Sequence, residues 1–340
     1  MTDTRLRVLL AGSLASSVDQ QPLKDRVEFR QVQTDEELRE AVSRTDVLYS
    51  LRIPNNVPAE SPDLRWIQLP SAGVDHIRGL PVWSSNILIT ASQGIHTVPM
   101  SEHAMAMLLG LTRQIPYMTR AQERKEWLRN QPRPLGGELR GRTIGILGWG
   151  KIGEGVAHLA RAFGMRVVGT RWSVIVAREE HRPEALSYDD PPWLEPEDLP
   201  PDVVHPAAQT HDVLAQSDVV VMILPLTDET RGSFGDAEFR AMKRGSLFVN
   251  IGRGPVVDEG ALIKALQSGR LAGAALDVFE KEPLPRSSPL WTMPNVIISP
   301  HIGGFSEHTQ ERAAWLFEVN LTRYLEGQEL LNVVRREQGY

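Results

Sequence analysis

Thr143-Ile144-Gly145-Ile146-Leu147-Gly148-Trp149-Gly150-Lys151-Ile152-Gly153 carries more structural information than any other segment of the chain. Thr143–Leu147 has the apolar pattern of a strand and runs into a Gly-x-Gly-x-x-Gly loop. Glu154–Phe163 then reads as a helix and Arg166–Gly169 as a second strand. The loop alone is a weak signal, but strand, loop, helix and strand in that order are the pattern of a dinucleotide-binding unit. Gly148 suits the tight turn out of the strand, Gly150 a close backbone approach to a pyrophosphate, and Gly153 close packing of helix on sheet. Phosphate oxygens would meet N–H groups at the helix start, where the dipole favours negative charge. The candidate cofactor contacts there are Gly148, Gly150, Lys151, Ile152 and Gly153.

The second strand of such a unit usually ends in Asp or Glu, which binds the ribose 2′-hydroxyl of NAD. Here that position is Arg171, with Ser173 close behind. A carboxylate would repel a 2′-phosphate, whereas a guanidinium attracts it and can bind two of its oxygens. NADP(H) is therefore the preferred cofactor expected, with NAD(H) the alternative if Arg171 only stacks on adenine.

The rest of the chain repeats the alternation. Before the loop, Arg7–Leu10, Val47–Tyr49, Trp66–Leu69 and Ile87–Thr90 read as strands and Asp35–Ser43 as a helix. Met100, Ala104, Met107, Leu108, Leu111 and Ile115 recur at helical spacing, with Pro99 in an opening turn. That methionine-rich stripe reads as a helix buried between domains or subunits. After the loop, Val219–Leu224, Leu247–Asn250, Ala272–Leu276 and Val296–Ser299 read as strands, and His308–Leu325 as a helix. Strands alternating with helices predict parallel sheets covered by helices, an α/β fold. Two segments interrupt the pattern: the polar loop Trp127–Arg140, and a proline-rich stretch from about Val174 to Gln209. The second reads as loop, longer than the roughly 2–6 residues usual between α/β elements. It covers the adenosine end of the site or touches a partner subunit.

Composition sets outer bounds. A chain of 340 residues, 41% hydrophobic and 24% charged, is a globular one of about two domains. A net charge of −6 argues against a nucleic-acid-binding surface. Without cysteine there is no thiol nucleophile, disulfide framework or thiolate metal site, and the histidines and carboxylates show no metal-ligand spacing. Met1 to Arg7 is too polar for a secretory leader, and no run reaches the roughly 18 apolar residues of a membrane span. A cytoplasmic protein with no membrane partner is expected.

Three later segments carry chemistry: Asn250-Ile251-Gly252-Arg253-Gly254, Ala275-Leu276-Asp277-Val278-Phe279-Glu280-Lys281-Glu282-Pro283, and Ser299-Pro300-His301-Ile302-Gly303-Gly304. Each begins at the carboxyl end of a predicted strand, the edge where open α/β sheets bind ligands. An arginine, carboxylates and a histidine thus arrive at one crevice from separate strands. Histidine titrates near neutrality and serves as acid or base; a neighbouring carboxylate favours its protonated form; a guanidinium holds a planar carboxylate at two points.

With these segments, Ser71-Ala72-Gly73-Val74-Asp75, Glu102-His103, and Pro225-Leu226-Thr227 with Glu229-Thr230, the sequence resembles the D-isomer-specific 2-hydroxyacid dehydrogenases over nearly its whole length. The resemblance implies two Rossmann-like or flavodoxin-like parallel-sheet domains with the active site in the cleft between them. A discontinuous substrate domain, 1–99 plus 303–340, would flank a dinucleotide-binding domain at 100–302. It implies reduction of a 2-oxo acid, glyoxylate, hydroxypyruvate or a larger analogue, to the D-2-hydroxy acid. His301 would be the general acid and base, Glu282 its support, and Arg253 the carboxylate-binding residue. Ala72 and Gly73 would bind the substrate carboxylate through the backbone, and Asp277 would meet the nicotinamide. Leu224, Pro225, Thr230, Ile251, Gly252 and Gly303 would complete the cofactor contacts, with Arg253 and His301. Glu282 disfavours formate, since formate dehydrogenases of the superfamily carry Gln there. Arg52 either faces the substrate's R group or is a solvated loop arginine. His76, His96 and His103 read as structural. Relatives also imply a homodimer using the helix near Met100–Gln114. The alternatives are a dinucleotide-sensing corepressor-like binding protein, against which the lack of disordered tails weighs, and a phosphite-type dehydrogenase.

Overall fold

Each helix between two strands returns the chain to the same edge of the sheet, so successive strands pair in parallel. The computed structural model describes residues 5–129, 137–171 and 203–337. Within them, all pairs of named strands are parallel. The described residues form two compact units: one runs up to His96 and resumes at Ser306, and the other spans Thr97 to Phe305.

The first unit contains β1 (Leu6–Ala11), β2 (Val27–Val32), α1 (Asp35–Ala41), β3 (Val47–Tyr49), β4 (Trp66–Leu69) and β5 (Leu88–Ala91). The sheet order is β2-β1-β3-β4-β5, the flavodoxin-type order that reverses at β1. Thr34 caps α1, accepting the Glu37 N–H, while the Glu37 carboxylate accepts the Thr34 N–H. The C-terminal helix Thr309–Leu325 rejoins this unit because its inner face is apolar. Its Phe317 ring lies 4.8 Å from Tyr49 and 5.6 Å from Trp66, centroid to centroid. Its buried Asn320 donates to Gln68 Oε1 at 3.0 Å and accepts the Leu331 N–H at 2.7 Å, satisfying polar groups that would otherwise be stranded in the core.

The second unit begins with α2 (Thr97–Thr112) and α3 (Ile115–Glu123). It continues through β6 (Thr143–Leu147), α4 (Lys151–Ala162), β7 (Arg166–Arg171), β8 (Val203–Pro206), α5 (Thr210–Gln216) and β9 (Val219–Met222). It ends with α6 (Asp236–Ala241), β10 (Ser246–Asn250), α7 (Glu259–Gln267), β11 (Leu271–Leu276) and β12 (Val296–Ile298). The order β12-β11-β10-β9-β6-β7-β8 reverses between β6 and β9, the switch point at which this fold class binds ligands. All five residues of β6 are buried, as expected of a central strand covered on both faces.

Four features differ from the sequence expectations. β2 was not predicted: only Val27 and Val32 of it are buried, and its middle carries Glu28, Arg30 and Gln31. The stretch expected to be loop up to Gln209 contains β8, which pairs with β7 through Val203, Val204, His205 and Pro206. Pro206 is tolerated there because β8 is the edge strand and no further neighbour needs its missing N–H. Residues 174–202 of that stretch, and Ser173, lie outside the described residues. The helix expected near Met100–Gln114 starts at Thr97 and stops at Thr112; Gln114 adopts φ 59°, and Ile115 opens the next helix. Of its stripe, Ala104, Met107, Leu108 and Leu111 pack with Ile144, Val156, Ala160 and Val249 in the core of their own unit, while Met100 is partly buried and Ile115 is exposed. No helix among the described residues is long and apolar enough to cross a membrane.

Candidate active site

Beyond the strand ends, the main chain of the second unit stays in ladder register. Ile223 N–H donates to Leu147 O at 2.8 Å, Ile251 N–H to Met222 O at 3.2 Å, Asp277 N–H to Asn250 O at 2.9 Å and Ser299 N–H to Leu276 O at 2.8 Å. The segments after β6, β9, β10, β11 and β12 therefore lie side by side along one carboxyl edge. That edge carries Gly148, then Leu224 and Pro225, then Ile251, Gly252 and Arg253, then Asp277, then His301 and Gly303. The Thr230 hydroxyl closes the loop after β9, accepting the Thr227 N–H at 2.8 Å and donating to Pro225 O at 2.6 Å.

Gly148 takes φ 103°, and a Cβ there would stand 2.9 Å from the Ile223 carbonyl carbon, so both conformation and space demand glycine. At Gly153 a Cβ would lie 3.1 Å from Gly148 O and 3.3 Å from Ile146 Cγ2, which is the close helix–strand packing expected of the third glycine. At Gly150 a Cβ would meet nothing within 4 Å, and no side chain caps the first turn of α4, where Lys151 and Ile152 stand. A pyrophosphate fits that arrangement: open space over the loop and a helix start whose amides favour an anion. Arg171 ends β7 exposed, beside Pro206.

Glu282 stands between two donors. Its Oε1 accepts the Phe279 N–H at 3.0 Å, and its Oε2 lies 2.7 Å from His301 Nδ1. An ionised carboxylate only accepts, so Nδ1 carries the proton, and Nε2 is the nitrogen left for proton exchange. Both side chains are partly exposed, at 47% for His301 and 35% for Glu282. The His301 backbone is left-handed, with φ 57°, a conformation that costs a side-chain-bearing residue about 1–2 kcal/mol. Arg253 donates from one guanidinium nitrogen to Gly252 O at 2.9 Å, which fixes the side chain at the end of β10.

Asp277 is 1% exposed, and both carboxylate oxygens accept backbone amides: Oδ1 that of Ile302 at 3.0 Å, Oδ2 that of Gly303 at 2.9 Å. Burial opposes ionisation, but the neighbouring His103 and Ser299 side chains and those two amides outweigh it, holding this carboxyl well below the usual carboxylate range. His103, read from the sequence as structural, brings Nε2 to 3.5 Å from Asp277 Oδ1. The one sequence signal for it was its place in the Glu102-His103 pair at the start of α2.

The remaining candidates sit in the first unit. Ala72 and Gly73 follow β4, half-buried, in a loop closed by the Ser71 hydroxyl on Gly73 O at 2.9 Å. Arg52 is paired with Asp35 at 2.9 Å, and its side chain is 75% exposed. His76 Nε2 lies 3.0 Å from Leu51 O.

The chain is similar to several known proteins. Residues 105–303 match the family model described as D-isomer specific 2-hydroxyacid dehydrogenase, NAD binding domain. The chain is 35% identical over 310 residues to a glyoxylate reductase of Aeropyrum pernix, covering 89% of this chain and 86% of that one. It is 36% identical over 274 residues to glyoxylate/hydroxypyruvate reductase B of an Enterobacter species, covering 80% and 78%. Among solved structures, an NADPH-dependent glyoxylate/hydroxypyruvate reductase of Sinorhizobium meliloti, in complex with NADP and sulfate, superposes with a TM-score of 0.77. The identity there is 27%, over 99% of this chain and 100% of that one.

Proposed function

The chain belongs to the D-isomer-specific 2-hydroxyacid dehydrogenase family, and on that premise we propose that it reduces glyoxylate to glycolate, or hydroxypyruvate or a larger 2-oxo acid to the D-2-hydroxy acid, with NADPH preferred over NADH. As a member, it is an NAD(P)-dependent oxidoreductase acting on a CH–OH group. The observation that carries the reading is the 2.7 Å contact between His301 Nδ1 and Glu282 Oε2 on the strand edge that also bears Arg253.

Gly148, Gly150, Lys151, Ile152 and Gly153 hold the pyrophosphate. Leu224, Pro225, Thr230, Ile251, Gly252 and Gly303 line the rest of the cofactor's path. When bound, the reduced cofactor supplies the hydride that goes to C2 of the substrate. Arg253 binds the carboxylate with its fork of N–H groups and polarises the 2-oxo oxygen. His301 donates its Nε2 proton to that oxygen as the alkoxide forms, and takes it back in the oxidative direction. Glu282 fixes the tautomer and stabilises the imidazolium. Ala72 and Gly73 offer backbone groups to the substrate carboxylate, and Arg52 sets the preference for the R group. The proposed assembly is a homodimer, with the helix Thr97–Thr112 contributing to the interface.

A panel of 2-oxo acids followed by cofactor absorbance at 340 nm tests both parts. Turnover is expected with glyoxylate or hydroxypyruvate, at a higher kcat/KM with NADPH than with NADH. Arg171→Ser is expected to lower kcat/KM for NADPH about tenfold or more, since one charge-assisted bond to a phosphate contributes about 1.5–3 kcal/mol, and to leave NADH nearly unchanged. A wild-type preference for NADH of tenfold or more would overturn the cofactor assignment. Oxidation of phosphite with no turnover of any 2-oxo acid would overturn the substrate assignment.

A further inference from the structure

His301 sits in a left-handed turn that its own side chain disfavours, yet its imidazole must meet Glu282 within a few tenths of an ångström. Asp277 is the device that holds the turn. It stands just past the end of β11, its own N–H is fixed to Asn250 O at 2.9 Å, and its two oxygens take the amides of the two residues that follow His301. A bidentate carboxylate across consecutive amides fixes the peptide planes on the carboxyl side of His301, and with them the direction in which the ring leaves the backbone.

The carboxylate in turn needs an orientation of its own. From α2, the His103 ring faces it: Nε2 is buried, stands 3.5 Å from Oδ1 of the 1% exposed Asp277, and makes no hydrogen bond among the described residues, so that carboxylate is the acceptor nearest at hand for its proton. The ring and the carboxylate also close on the turn from both sides. A Cβ at Gly303 would stand 2.8 Å from Asp277 Oδ2 and 2.9 Å from His103 Cδ2. His103 follows closely the point where the chain enters this unit at Thr97, and Gly303 closely precedes the point where it leaves at Phe305. The two passages of the chain are thus tied together through one buried carboxylate.

We propose that His103 is a positioning residue for His301, acting through Asp277: its Nε2–H keeps the carboxylate on the amides of Ile302 and Gly303, and so keeps the His301 ring on Glu282. The proposal rests on His301 being the proton donor only in its kinetic arm; the turn itself is testable without catalysis.

His103→Leu removes the donor at similar volume, His103→Asn keeps a donor that is too short to reach, and His103→Gln places one close to the position of Nε2. Hydrogen exchange in a peptide spanning His301–Phe305 and steady-state kinetics are read on each full-length variant. In Leu and Asn, exchange at the 302 and 303 amides is expected to rise at least about tenfold, as local opening becomes easier. In the same variants kcat is expected to fall at least about tenfold, since a misplaced acid costs turnover. Gln is expected to restore both to within about threefold of wild type. Leu within twofold of wild type in exchange and kcat, or Gln as impaired as Leu, would overturn the proposal; should Leu not fold, Asn against Gln decides. A wild-type chain that turns over no 2-oxo acid would contradict the proposed function, and the exchange comparison would still decide the clamp.

Discussion

His301→Asn is expected to lower kcat/KM for 2-oxo acid reduction by about 10²–10⁴-fold, the range a positioned general acid supplies. Asparagine is the informative replacement. It tolerates the left-handed backbone that residue 301 adopts at φ 57°, and its amide can still donate to Glu282. What it lacks is a proton it can give at neutral pH. The cofactor-binding loop after β6 is built from other strands and is untouched, so NADPH affinity by fluorescence titration should stay within about threefold. A loss of less than about tenfold in kcat/KM, with binding intact, would remove His301 from the proton-transfer step.

Arg253→Gln should have the second-largest effect. Two charge-assisted hydrogen bonds to a carboxylate, at about 1.5–3 kcal/mol each, correspond to about 10²–10⁴-fold in kcat/KM. The way the loss divides is informative. Carboxylate binding is felt equally in ground and transition states, so its loss raises KM; polarisation of the 2-oxo oxygen is felt in the transition state, so its loss lowers kcat. Arg253→Lys keeps the charge without the planar fork and should fall between wild type and Gln. Steady-state kinetics on both variants check this. Lys equal to wild type would mean that charge alone acts there; Gln within tenfold of wild type would mean that Arg253 does not hold the substrate.

The parts of the fold legible in the sequence are those whose environment is set locally. Val47–Tyr49, Trp66–Leu69 and Thr143–Leu147 are buried along their whole length, so each is an apolar run bounded by turn residues, and the sequence places them at the observed bounds. β2 and β8 are edge strands. Glu28, Arg30 and Gln31 suit the open side of a sheet, and Pro206 suits a strand with one neighbour, but neither pattern names the partner that makes it a strand. The methionine stripe of α2 shows that an apolar face needs covering without showing what covers it; the covering proves to be β6, α4 and β10 of the same unit.

The same division runs through the site. Arg253, Glu282 and His301 are legible because each follows a predicted strand, and parallel strands deliver their carboxyl ends to one edge. The hold on His301 is not legible. His103 and Asp277 are far apart in the chain, and their meeting depends on the way α2 packs beside β11. Nor does the sequence announce that Asp277 spends both oxygens on the amides after His301.

Chiral analysis of the product formed from hydroxypyruvate and NADPH by the wild-type chain tests the proposed reaction most directly. A fixed hydride face opposite a fixed histidine and arginine permits one enantiomer, and glycerate of the D configuration is expected, formed in step with NADPH consumed. L-glycerate, a racemic product, or NADPH consumption without glycerate would contradict it.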